Sequence, residues 1–349
     1  MNNPQLIFSL VISLVFTTGI LFAQDIHFSQ LEFAPNIVNP ALAGVRTSSM
    51  ASIIYKNQWQ SITAPYSTIY GSYDQRLKSP EKQNKSKGYF VGGLGFYSDK
   101  AGDGNMGITV ANLSVGYHLK ISENQRLGLA LQPGFANRSV SVSSIKWGTQ
   151  YEQNVGYNAS LSNNENVASQ SFSFFDLGAG LVYNYGSSER YLTSNDQKLL
   201  TVGLAMFHVT QPNYSFIGSA NNLYRRYTAF VRGTYGIPNR DFALQPAIYY
   251  TRQGNQDELL VGTMIRYTAQ QESQITELVK RKSISAGAFL RAQDALACRL
   301  VVDYQDFSFG LSYDINLSEL TAASQARGGV EIALQYAISE KVWGAFNSN

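Results

Sequence analysis

Phe307-Ser-Phe-Gly-Leu-Ser-Tyr-Asp-Ile315 is the stretch that decides the fold. Its odd positions, Phe307, Phe309, Leu311, Tyr313 and Ile315, are apolar, and its even positions, Ser308, Gly310, Ser312 and Asp314, are small or polar. Successive side chains of a strand point to opposite faces, so this run has one greasy face and one wet face. The pattern recurs in Val330, Ile332, Leu334, Tyr336 and Ile338, and in Ala111, Leu113, Val115, Tyr117 and Leu119. About fourteen such runs follow one another: 48–58, 66–77, 88–97, 107–119, 125–136, 170–185, 197–208, 224–236, 240–252, 257–268, 282–291, 295–304, 306–315 and 329–339. Soluble strands usually have about 5–6 residues, whereas a tilted strand crossing a bilayer needs about 9–11. Strand length and an even count predict an all-β chain, a transmembrane antiparallel β-barrel of about 14 strands, in preference to a soluble secreted sandwich.

Composition agrees. The chain has 349 residues, of which 15% are charged, well under the roughly 25% of a soluble domain. Aromatic residues reach 13%, and the formal charge is only +3, so composition implies no basic nucleic-acid surface. One Cys excludes an internal disulfide, and three His leave little for a histidine metal site.

The only long apolar run is 6–23, LIFSLVISLVFTTGILFA, which ends on a small residue before polar Gln24-Asp25. It reads as a signal peptide cleaved near Ala23, although no Lys or Arg precedes it. The organisation is then a signal peptide at 1–23, an N-terminal periplasmic or plug segment at 24–47, and an outer-membrane barrel at 48–349. In the strand register Asp176, Arg226, Arg232, Arg266, Asp314 and Glu331 face inward, where a water-filled lumen would solvate them. Cys298 falls on the lipid face with Leu296, Leu300 and Val302, as filler.

An even barrel places both chain ends on the periplasmic side. The long connections 137–169, 209–223 and 316–328 then face outward, and turns such as 120–124 and 237–239 face inward. Two inner connections are long and basic, 78–87 and 270–282, and form a candidate periplasmic rim for a partner. Gly102-Asp-Gly-Asn-Met-Gly107 matches G-x-G-x-x-G, but a β-alternating run follows it instead of a helix, so it reads as a loop. Asp99, Asp103 and Asn105 could offer oxygens to calcium without a complete ligand set. Ser114 and His118 share a strand face roughly 13 Å apart, too far for a nucleophile and its base. No catalytic, cofactor-binding or metal-binding residue is assigned, and no enzyme is expected.

The segment after the signal reads Gln24-Asp-Ile-His27-Phe28-Ser29-Gln30, then Pro35, and then Asn39-Pro40-Ala-Leu-Ala-Gly44. Pro35 and Pro40 forbid a regular helix or central strand. Phe28, Leu31, Phe33, Ile37, Val38 and Leu42 carry more apolar mass than a solvated tail needs, so the segment packs, either in the barrel mouth or against a partner. This block closely resembles the opening of the PorP/SprF family of type IX secretion outer-membrane proteins. The resemblance continues through Asn57-Gln-Trp59, Tyr70-Gly-Ser-Tyr-Asp74, Lys146-Trp147, His208-Val-Thr-Gln-Pro212 and Glu331-Ile-Ala-Leu-Gln-Tyr336. It implies a non-enzymatic outer-membrane component of the type IX secretion and gliding motility machinery, supporting secretion or surface attachment of specific cargo proteins. A porin or small-molecule transporter is the alternative. Its expected partners are periplasmic machine components, a secreted cargo protein and outer-membrane lipid, with no nucleic acid and no cofactor. The candidate partner-binding residues are His27, Phe28, Ser29, Gln30, Asn39, Pro40 and Gly44, with Lys85, Lys87, Lys280 and Arg281 of the basic connections. Strand parity puts the whole segment on the same periplasmic side as those connections.

Overall fold

The computed structural model describes residues 25–58, 66–77, 87–102, 104–152, 155–162, 170–187, 197–216, 221–270, 282–318 and 327–338. The strands are β1 Ser49–Gln58, β2 Tyr66–Leu77, β3 Gly88–Ala101, β4 Met106–Ser122, β5 Gln125–Ser139, β6 Tyr151–Glu152, β7 Gly156–Tyr157, β8 Ser171–Ser187, β9 Lys198–Phe207, β10 Arg226–Gly236, β11 Phe242–Gln253, β12 Gln256–Gln270, β13 Lys282–Arg291, β14 Ala295–Tyr304, β15 Phe307–Asn316 and β16 Arg327–Ile338. Fourteen of them close into one antiparallel barrel with β1 paired to β16. The short pair β6–β7 is a hairpin within the connection from β5 to β8. Closure removes every sheet edge, so all ladder groups can pair inside a membrane. Among the described residues no helix is long and apolar enough to cross a membrane.

The alternation read from β15 is the one observed. Phe309 and Leu311 are exposed on the outer wall, while Ser312 and Asp314 are buried inside. Cys298 is exposed on the same outer wall. Strand starts and ends give the barrel a proximal end, where β1 begins and β16 finishes, and a distal end opposite it. An aromatic girdle rings the proximal end on the lipid side. Its members include the cross-strand pairs Phe90–Tyr117, Phe242–Tyr267 and Phe307–Tyr336, with ring centroids 4.9, 5.2 and 4.8 Å apart.

β3, β4 and β5 run longer than their apolar alternation. β3 continues through Ser98, Asp99 and Lys100, which stay in ladder with Thr109, Ile108 and Gly107. Apolar patterning marks the hydrocarbon band, whereas backbone pairing continues past it. Gly102 and Asn105 turn the chain with φ of +70° and +44° between β3 and β4, so the glycine motif is a reversal between strands. Asp99 accepts the Thr68 hydroxyl at 2.6 Å, and Asp103 lies outside the described residues.

This wall predicts a labelling pattern. On a Cys298→Ala background, fluorophores on Phe309→Cys and Leu334→Cys should be quenched by lipid-borne nitroxide, and one on Gln335→Cys should not. Equal quenching at all three positions would contradict the register.

Candidate functional site

The segment 25–48 does not gather at one mouth. It enters the lumen at the distal end with Asp25 and leaves at the proximal end, where Ser48 leads into β1. Three short turns shape it: a 3-10 turn at Leu31–Phe33, a one-turn helix at Pro35–Val38 and a second 3-10 turn at Pro40–Leu42. Both prolines sit at first positions, where a missing N–H costs nothing. Phe28, Phe33, Val38 and Leu42 are buried, and Phe28 packs against Tyr70 of β2 with ring centroids 5.8 Å apart.

The first anchor is Glu331. Its carboxylate accepts the backbone N–H groups of Ser29 at 2.7 Å and Gln30 at 3.0 Å. Lys56 sits 3.5 Å from the same carboxylate and donates to the His27 carbonyl at 2.9 Å. Glu331 is 0% exposed, so this site replaces water completely. Beside it the Ser29 hydroxyl donates to Asp314 at 2.7 Å and accepts Arg291 at 2.7 Å.

The second anchor is Asn39. Its Oδ1 accepts the Ala41 N–H and caps the turn, while Nδ2 donates to the carbonyls of Leu181 and Leu204 at 3.0 and 2.9 Å. That approach needs bare backbone: a Cβ on Gly180 would overlap Asn39 Oδ1. At the proximal end Gly44 turns with φ +65°, its N–H donating to Asp74 and its carbonyl accepting Arg76 and Tyr89. His118 meets the Ala43 carbonyl at 3.0 Å and stacks on Tyr89, a luminal hydrogen-bonding role.

At the distal end Asp25 meets His208, which lies just past β9. The imidazole bridges two carboxylates, Nε2 to Asp25 at 2.6 Å and Nδ1 to Asp176 at 2.7 Å, and Arg226 approaches Asp25 at 3.0 Å. Burial opposes the His208 charge, but Asp25 and the bond to Asp176 override it and raise the pKa to about 9. Burial likewise opposes the Asp25 charge, yet His208 and Arg226 hold its carboxyl well below the usual range. The nearby Lys56 charge and burial push the His27 pKa well below its ordinary value.

Every barrel strand takes part. Thirteen touch the segment through a hydrogen bond or ion pair, and β12 places Glu258 3.9 Å from the His27 ring. Two expectations are corrected. The inward charges Arg226, Arg266, Asp314 and Glu331 are buried rather than solvated by an open lumen, and at Arg226, Asp314 and Glu331 backbone and polar groups of the segment take the place of water. The segment also does not lie wholly on the proximal side, because its anchors Glu331, Asp314 and Arg226 are near the distal strand ends. Of the expected site residues, His27, Phe28, Ser29, Gln30, Asn39, Pro40 and Gly44 are together here, engaged with the wall. Lys87 is exposed at the proximal end, and Lys85, Lys280 and Arg281 lie outside the described residues. The sequence reading did not mark Lys56, Gln132, Arg291 or Arg299; a charge or amide on the luminal parity of a strand was the available signal.

The profile of the PorP/SprF family, described as a type IX secretion system membrane protein, matches residues 20–336. The chain belongs to this family. The PorP/SprF barrel is also similar to solved structures of other barrels. One is a deletion mutant of the monoaromatic hydrocarbon channel TodX, at 9% identity and TM-score 0.48, covering 88% of this chain and 94% of that one. Another is BamA from Haemophilus ducreyi lacking three POTRA domains, at 9% identity and TM-score 0.42, covering 83% and 71%. Among curated proteins no match is found.

Two outcomes follow from the anchors. Glu331→Ala strands the Lys56 charge and two N–H groups, and should destabilise the folded barrel by about 3–5 kcal/mol, read as a lower midpoint of heat-modifiable gel mobility. His208 has a raised folded pKa, so its contribution is complete below about 6.5 and is lost as pH rises through about 9. The wild-type midpoint should fall across that window by the equivalent of roughly 3 kcal/mol more than that of His208→Gln.

Proposed function

We propose that this PorP/SprF barrel is a non-enzymatic, non-conducting outer-membrane component of type IX secretion that holds partners on its two rims. The carrying observation is the segment 25–48, held by hydrogen bonds or ion pairs to thirteen of the fourteen strands. A lumen filled this way supports a scaffold and disfavours a porin. The family supports the secretion role, and the finer parts, cargo attachment and gliding motility, are our reading.

With the proximal end facing the periplasm, the basic connections 78–87 and 270–282 meet periplasmic machine components. The distal connections 140–170 and 208–225 then face exported cargo. Residues His27 to Gly44 hold those rims in place from inside, and while packed they are not offered to a partner. Residues 1–23 are a cleaved export signal in this reading.

Charge reversal at Lys85, Lys87, Lys280 and Arg281 should lower co-purification of machine components in a salt-sensitive way and leave heat-modifiable mobility intact. Shortening the 140–170 connection should release cargo instead, and planar-bilayer conductance of the wild type should stay near zero. Unchanged partner recovery at low and high salt, together with open-pore conductance, would restore the porin reading.

A further inference from the structure

Away from the lumen, the outer wall carries a concave dent of about 720 Å³ across β5, β8, β9 and β10. Its floor is made by two outward alanines, Ala179 and Ala229, and its sides by Leu131, Leu181, Leu204 and Tyr250. The register explains the shape. Ala179 lies beside Leu131 on β5, and Ala229 lies between Leu204 on β9 and Tyr250 on β11, so small residues alternate with large ones along the sheet. No charged residue lines it. Its size falls within the roughly 300–1,000 Å³ of ordinary ligand pockets.

The distal rim is different. Arg252 is the register partner of Tyr227, which itself lines the dent, and Arg225 is exposed immediately before β10. Asp257 lies 3.8 Å from Arg252 and accepts the Tyr250 hydroxyl, which leaves two cations against one anion at this edge. An apolar hollow in the hydrocarbon band under a net positive rim has the polarity of an acidic lipid: chain inside, headgroup at the edge.

We propose that this groove seats one acyl chain of an acidic, net-anionic phosphate lipid whose headgroup is held by Arg225 and Arg252. A flexible chain restores the dispersion contacts that a bare hollow forfeits. A second copy of the barrel packed on this face about a two-fold axis would set the two arginines against their own copies, which like-charge repulsion opposes.

Native mass spectrometry of the purified, delipidated full chain tests this, with dioleoyl phosphatidic acid and dioleoyl phosphatidylcholine added separately. The expected result is one phosphatidic acid retained per chain, with roughly tenfold preference over phosphatidylcholine, the size of one charge-assisted hydrogen bond. Ala229→Phe, and Ala179→Phe with it, should abolish retention of that lipid. Arg225→Ser with Arg252→Ser should keep the chain in the groove and remove the preference; these rim changes leave the barrel ladder untouched, as heat-modifiable mobility will report. Equal retention of the two lipids, undiminished retention in the filled groove, or a dimer that the filling substitutions dissolve would each overturn the proposal.

Discussion

A closed sheet of fourteen strands has no edges but does have an inside, and the polar groups on that inside must be satisfied. Here they are satisfied by the chain itself. Glu331 is the clearest case: a fully buried carboxylate at the distal part of the last strand receives two N–H groups from residues some three hundred positions earlier. Residues 28–30 and the last strand of the barrel therefore stabilise each other. Neither arrangement is reasonable alone. An empty lumen would leave Glu331 and Lys56 to water, and a free segment would expose Phe28, Phe33 and Leu42.

The contacts divide by chemistry along the lumen. The distal third is ionic, with Asp25, His208, Asp176 and Arg226 in one cluster and Ser29, Arg291 and Asp314 in the next. The middle relies on glycines that let Asn39 reach strand carbonyls directly. The proximal third is again polar, built on Asp74, Arg76 and Tyr89 around the Gly44 turn. Charge pairs hold the distal end of the segment. Its proximal end is already tied to β1 and needs no ion pair to stay in place.

A segment bonded to thirteen strands ties the two ends of the barrel to one another from inside. The lipid face follows a separate rule. Outward residues answer to hydrocarbon, aromatic girdles mark the interface, and the alanine hollow beneath Arg252 is the one place described above where outer-wall shape and rim charge combine.

Much of this was legible in the residues alone. Alternation of period two sets each strand and the face each side chain presents, because strand geometry leaves only two directions. Strands β2, β13 and β14 fall where their patterns start and stop. The apolar and proline content of 24–44 also showed that the segment must pack. What the sequence by itself could not decide is where. Parity assigns inside and outside but not depth, so it put the segment at one mouth and left the inward charges in water. Only the closed barrel sets Glu331, Asp314, Lys56 and Arg226 at their heights around one axis, and only that arrangement turns separate luminal faces into a single binding site for residues 25–48. The reason is physical: pairing register is local and repeats every two residues, whereas the partner of a buried charge is chosen across the whole lumen.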